Sequence, residues 1–203
     1  MNRTIGLLAM FNPLLFTGVY LTMSAMRPEY SHLTKAISEL GSVDAPRAWA
    51  WSVFGYIIPG LVVALLGLGV RKRFGPERGA LLPGAALVLS GLLIALSGLF
   101  PGDFDNRTSP TMIVHTIGSL GSFVAFLVAA FSLPRIMRKA REWQPMVWPS
   151  LALTGASILT GFLRSGNAPG LGQRLGFACF FLWVALIGYA LYRDPSPGAR
   201  QTP

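Results

Sequence analysis

The segment Ser97–Ser122, SGLFPGDFDNRTSPTMIVHTIGSLGS, joins two strongly apolar runs through a short acidic turn, and it sets one of the chain's two histidines a little way into the second run. If both flanks cross a bilayer, the turn lies at one membrane face and His115 lies just inside it. The rest of the chain supports that reading. Of 203 residues, 52% are hydrophobic and 12% charged, with a mean hydropathy of +0.53. A soluble domain of this size carries about 25% charged residues. The apolar residues come in long unbroken runs, which is the pattern of membrane spans.

Six runs approach the roughly 20 residues that a span requires. They are Ile5–Met26, Ala50–Val70, Ala80–Phe100, Thr111–Leu133, Met146–Leu163 and Leu175–Tyr192. The fold class is therefore all-α: a polytopic six-transmembrane-helix bundle over residues 1–193. The proline-rich tail, 194–203, is expected to be disordered. The first run is longer than the apolar core of a signal peptide and reads as a span. Pro13 and Pro59 are kink candidates, whereas Pro83 falls in a first turn where proline costs little.

The net charge of +9 does not point to nucleic acid, because the cations sit in short connections between spans. With the N-terminus inside, the inner segments hold Arg3, Arg71, Lys72, Arg73, Arg78, Arg135, Arg138, Lys139, Arg141, Arg193 and Arg200. The outer loops hold Arg27, Lys35, Arg47, Arg107, Arg164 and Arg174. This bias predicts a multi-pass protein of the inner (plasma) membrane with both termini cytoplasmic. The lone Cys179 excludes an intrachain disulfide and reads as packing.

The outer loops carry the more varied chemistry. In the first, YSHLTKAISELG predicts a short amphipathic helix capping the bundle, with Ser31 as N-cap and Gly41 as stop. In the fourth span, Thr111, His115, Ser119 and Ser122 share one helical face. His115 lies about 6 Å below Thr111. The recurring Ser90, Ser97, Thr154, Ser157 and Gly161 read as small residues that let helices approach closely.

The FNP of the first span, ISELGS at 37–42, FPGD at 100–103, His115 and GLGQR at 170–174 occur in an order that resembles the prokaryotic integral-membrane family of the domain of unknown function 998. The resemblance covers nearly the whole chain. It implies a multi-span membrane protein and directs attention to Ser38, Glu39, Gly41, Asp103, His115, Gln173 and Arg174. It implies no activity.

Three readings of these residues compete. In the first, an outward-facing polar pocket built from Ser38, Glu39, Ser119, Arg164, Gln173 and Arg174 binds a lipid head group or small amphiphilic ligand, with the arginines pairing phosphate or carboxylate. Membrane lipids and a small amphiphile are the expected partners. In the second, His115 and Asp103 or Asp105, with Glu39 or His32, hold a divalent metal such as zinc that activates water for hydrolysis. Against it, the chain has only two histidines and no HxxxH or HExxH pairing. In the third, the same groups form a purely structural network, with His115 bonded to Asp103 and Arg174 paired with Glu39.

Overall fold

The computed structural model describes residues 1–164 and 168–194, with the Arg164 side chain outside the described residues. Six helices are long and apolar enough to cross a membrane. They are α1 (Asn2–Ala25), α2 (Ala48–Phe74), α3 (Leu81–Leu99), α4 (Pro110–Met137), α5 (Val147–Arg164) and α6 (Pro169–Arg193). Each packs on its neighbour in sequence, and α6 returns to pack on α1, so the helices form a closed ring in chain order. The seam between α4 and α5 is the thinnest of the ring.

Aromatic side chains fill the centre. Phe126 of α4 reaches across to Phe180 and Trp183 of α6, at ring separations of 4.9 and 5.2 Å. Phe16 of α1 stacks toward Phe181 at 4.4 Å. Glycines set the closest helix approach. A Cβ on Gly91 of α3 would stand 2.3 Å from the Gly60 carbonyl oxygen of α2, and one on Gly60 would stand 2.5 Å from that of Gly91. Neither backbone can yield without separating the two helices.

Two local features depart from ideal helices. The first turns of α2 are π-helical over Trp51–Ile57, and α geometry resumes at Ile58. Pro59 lacks the N–H that an α-helix would direct to the carbonyl of Gly55, and a wider turn before it accommodates that loss. Asn12 of α1 donates from Nδ2 to the Pro59 carbonyl at 3.1 Å, which ties the FNP segment to this irregularity.

The second feature is the α1–α2 connection, which sequence reading places outside. The expected amphipathic helix contracts to a 3₁₀ turn, Ile37–Gly41, preceded by bends. Ser31 caps only a local turn, its Oγ accepting from the Thr34 N–H at 3.3 Å. Glu39 closes the 3₁₀ turn by accepting from the Ala36 N–H at 2.8 Å. Ile37 and Leu40 are buried, but Leu33 is 56% exposed, so the predicted apolar stripe does not form as one face.

The start of α1 and the end of α6 lie at the same end of the bundle. Gly6 packs against Gly188 and Tyr192, and the Arg3 guanidinium lies 6.0 Å from the Tyr192 ring centre. Asp194 is buried, and its Oδ2 accepts from Arg73 Nε and, at 2.6 Å, from the Trp143 indole N–H. That carboxylate joins the end of α6 to the end of α2 and to the α4–α5 connection. Asp194 thus belongs to the folded body rather than to the tail, whose remaining residues 195–203 lie outside the described residues.

Candidate functional site

At the opposite end of the bundle, His115 is 5% exposed, and its Nδ1 lies 3.0 Å from both the Ser97 and the Phe100 carbonyl oxygens. Those carbonyls sit at the end of α3, where Pro101 supplies no N–H to continue the helical ladder. With two oxygen acceptors, Nδ1 must be the protonated nitrogen, and the imidazole caps α3. Thr111 does the same for the Pro101 carbonyl, its Oγ1 donating at 2.7 Å. The Tyr56 ring meets His115 edge-on at 5.8 Å.

Asp103 turns elsewhere. Its Oδ1 accepts from the Asn106 N–H at 2.9 Å, which closes an Asx-type turn in the loop. The expected His115–Asp103 hydrogen bond is replaced by two local caps. Among the described residues, no group of three or more His, Cys, Asp or Glu side chains could hold a metal ion, so His115, Asp103 and Glu39 do not assemble as ligands.

Arg174 also finds partners other than the expected one. Its Nε donates to the Tyr20 hydroxyl at 2.7 Å, Nη1 to the Lys35 carbonyl at 2.9 Å and Nη2 to the Tyr30 hydroxyl at 2.5 Å. The guanidinium lies 5.3 and 5.2 Å from the centres of the two tyrosine rings. Tyr20 is also bonded to His32 Nδ1, and Tyr30 donates to the Ala36 carbonyl at 2.9 Å. Burial pushes the Tyr30 phenol well above its ordinary range, outweighing the opposite pull of Arg174. Glu39 instead pairs with Lys35 at 3.0 Å. Ser38 is buried and faces the Tyr56 hydroxyl.

The GLGQR segment is the first turn of α6 and not a loop. Gly170 and Leu171 donate their N–H groups to the Leu33 carbonyl at 2.8 and 3.2 Å. A Cβ on Gly170 would stand 2.5 Å from the Lys35 carbonyl oxygen, so glycine is what lets residues 33–35 seat on the helix start. Gln173 completes the joint, its Oε1 accepting from the Ile37 N–H at 2.6 Å.

Below this joint, the α4–α5 seam opens into a groove of about 280 Å³. Its apolar wall includes Leu120, Phe123 and Leu127 of α4, Ile158 of α5 and Phe177 and Phe180 of α6. Its polar wall is formed by Tyr56, Ser97, Ser119, Ser122, Ser157, Thr160 and Gln173. Of the predicted site residues, Ser119 and Gln173 line this groove. Ser38, Glu39, Asp103, His115 and Arg174 hold the end of the bundle away from Arg3 and Tyr192, and the Arg164 side chain lies outside the described residues.

The spacing of Ser157 and Gly161 on α5 did carry the missing signal, although small residues at helical spacing more often denote helix contact. Gly161 lines the groove, and a Cβ added there meets nothing within 4 Å. Its smallness leaves open space.

A closed ring of six apolar helices with one open, hydroxyl-lined seam defines a multi-pass membrane protein. The family model described as Protein of unknown function (DUF998) matches residues 11–190, and the chain belongs to that family. No curated protein and no solved structure matches it.

Proposed function

We propose that this protein binds a lipid-like amphiphile in the α4–α5 groove, for transfer or sensing. The observation that carries the reading is the two-sided lining at the thinnest seam of the ring. Exposed Leu120 and partly exposed Phe123 and Ile158 continue the lipid-facing surface inward, and Ser157, Thr160 and Gln173 await a polar end. A pocket with apolar walls and a few converging polar groups is the usual form of a small-molecule site. The volume suits a head group with the first part of one chain, the remainder lying in the bilayer.

Native mass spectrometry of the protein released from native membranes tests this. The wild type should retain an amphiphile of discrete mass, and Gly161→Trp, which fills the groove without meeting backbone, should release it. Equal retention by both proteins would overturn the reading.

The membrane placement that accompanies it is a cell (plasma) membrane location with both termini cytoplasmic, supported by the sequence distribution of eleven cations in or beside the termini and the α2–α3 and α4–α5 connections against six in or beside the other three connections. A C-terminal reporter active only outside the cytoplasm should stay silent, and a signal from it would reverse the orientation.

A further inference from the structure

We infer that the groove selects an uncharged, hydroxyl-bearing amphiphile, such as a monoacylglycerol or a long-chain alcohol, over phosphate or carboxylate head groups. The inference rests on the proposed amphiphile site and assigns the chemistry of its ligand. The argument begins with charge. No lining residue among the described residues carries a charge at neutral pH. The nearest cation in sequence, Arg174, has its guanidinium committed to Tyr20, Tyr30 and the Lys35 carbonyl and does not line the groove. Lys35 is held by Glu39. The Arg164 side chain, four positions beyond Thr160 on α5, lies outside the described residues; from the described side chains an anionic head group entering the seam would gain no countercharge, and an unpaired buried charge is strongly disfavoured.

Hydrogen-bond accounting then narrows the neutral choices. Ser157 donates to the Thr154 carbonyl at 2.7 Å and Thr160 to the Ser157 carbonyl at 2.7 Å. The Ser97 hydroxyl is directed to the His115 and Leu93 carbonyls, so Ser119 is the donor in their 3.2 Å contact. By the same logic Ser90 donates to the Ser122 carbonyl, and Ser122 donates to Ser90. The serine and threonine hydroxyls of the wall have spent their protons internally and present oxygen lone pairs. What they accept is a ligand O–H. A complementary donor is the Gln173 amide, whose Oε1 is held by Ile37 and whose Nε2 has no partner among the described residues. A hydroxyl, which both donates and accepts, satisfies both kinds of group at once.

The test uses the full chain in nanodiscs and four diazirine-bearing probes of equal chain length: a long-chain alcohol, a monoacylglycerol, a fatty acid and a lysophosphatidic acid. Labelling of peptides spanning 119–127, 157–161 and 172–180 is normalised to labelling of bulk lipid. The expected result is that the alcohol or the monoacylglycerol labels these peptides at least about tenfold above the fatty acid and lysophosphatidic acid at pH 8, a factor equal to about 1.4 kcal/mol. The two neutral probes separate a simple alcohol from a glycerolipid as the source of the hydroxyl. Ser119→Lys, which puts a cation in the wall, should raise labelling by the anionic probes toward that of the neutral ones.

If the anionic probes label the wild-type groove as well as the neutral ones and Gly161→Trp blocks them, the neutral-head-group inference falls and the amphiphile site stands. If no probe labels the groove above the lipid-facing Leu159 surface, the amphiphile site itself falls, and the inference with it.

Discussion

Replacing Arg174 by lysine should release the first outer loop while leaving the transmembrane ring intact. The guanidinium makes three hydrogen bonds in a planar fork and lies against two tyrosine rings. An ammonium can hold one of those acceptors at a time and lacks the fork. The two phenols each keep a second partner, His32 for Tyr20 and the Ala36 carbonyl for Tyr30, so neither is orphaned. The loss is therefore about 1 kcal/mol for each of two hydrogen bonds, plus a fraction of the ~0.5–1 kcal/mol that each ring contact supplies. A total of about 2–3 kcal/mol corresponds to a roughly 30- to 150-fold rise in local opening. Hydrogen–deuterium exchange over residues 31–41 should accelerate by that factor, with residues 87–95 of α3 unchanged as the internal control. Tyr20→Phe, which deletes the hydroxyl's bonds to Arg174 and His32 but leaves the guanidinium its other two acceptors, should give at most about a 30-fold increase. Exchange within about threefold of the wild type in Arg174→Lys would refute the lock.

Other outcomes follow from the same geometry. Asp194→Asn keeps an acceptor for Trp143 but leaves the nearly buried Arg73 without its countercharge, a loss of about 3 kcal/mol that should lower the thermal midpoint by roughly 6–12 °C. Gly91→Ala should abolish accumulation of folded protein, because its Cβ would strike the Gly60 carbonyl, whereas Gly155→Ala, which opens onto empty space, should accumulate normally. Burial raises the Tyr30 phenol above its unfolded value near 10, so the neutral form's contribution is complete below that pH and is lost as pH climbs toward the folded value. Exchange protection of residues 31–41 should thus be flat from pH 6 to 9 and weaken only in stronger alkali. Tyr30→Phe should remove that alkaline dependence.

The six spans were legible because hydropathy over about 20 residues is dictated by the bilayer itself, and tertiary packing does not alter it. Their ends were less so. Gly170 and Gly172 made 170–174 read as a loop, yet Pro169 starts a helix there and the glycines serve a backbone contact with residues 33–35. The amphipathic reading of residues 30–41 failed for a related reason. The segment's backbone polar groups are claimed by α6 and by Arg174, which local periodicity does not reveal.

The candidate site was half visible. Sequence reading grouped Arg174, Gln173 and Glu39 in one region, and Gln173 and Arg174 do bond the backbone of residues 35–37, but it assigned their partners by opposite charge. The fold instead gives Arg174 to tyrosines and a carbonyl, and Glu39 to Lys35. His115 and Asp103 are adjacent in the chain's logic and still serve separate turns, because Pro101 leaves carbonyls that the imidazole satisfies. The groove depends on how little α4 and α5 touch, a property of the closed ring that no single segment encodes.

The central claim is that this seam holds one kind of amphiphile. A photoreactive amino acid placed at position 161, inside the groove, can be compared with one at position 159, where Leu159 is 64% exposed on the lipid face of the same helix. On irradiation of intact membranes, position 161 should capture a single adduct mass dominated by an uncharged hydroxyl lipid, and position 159 should capture the bulk lipid mixture. The same mixture at both positions would contradict the account.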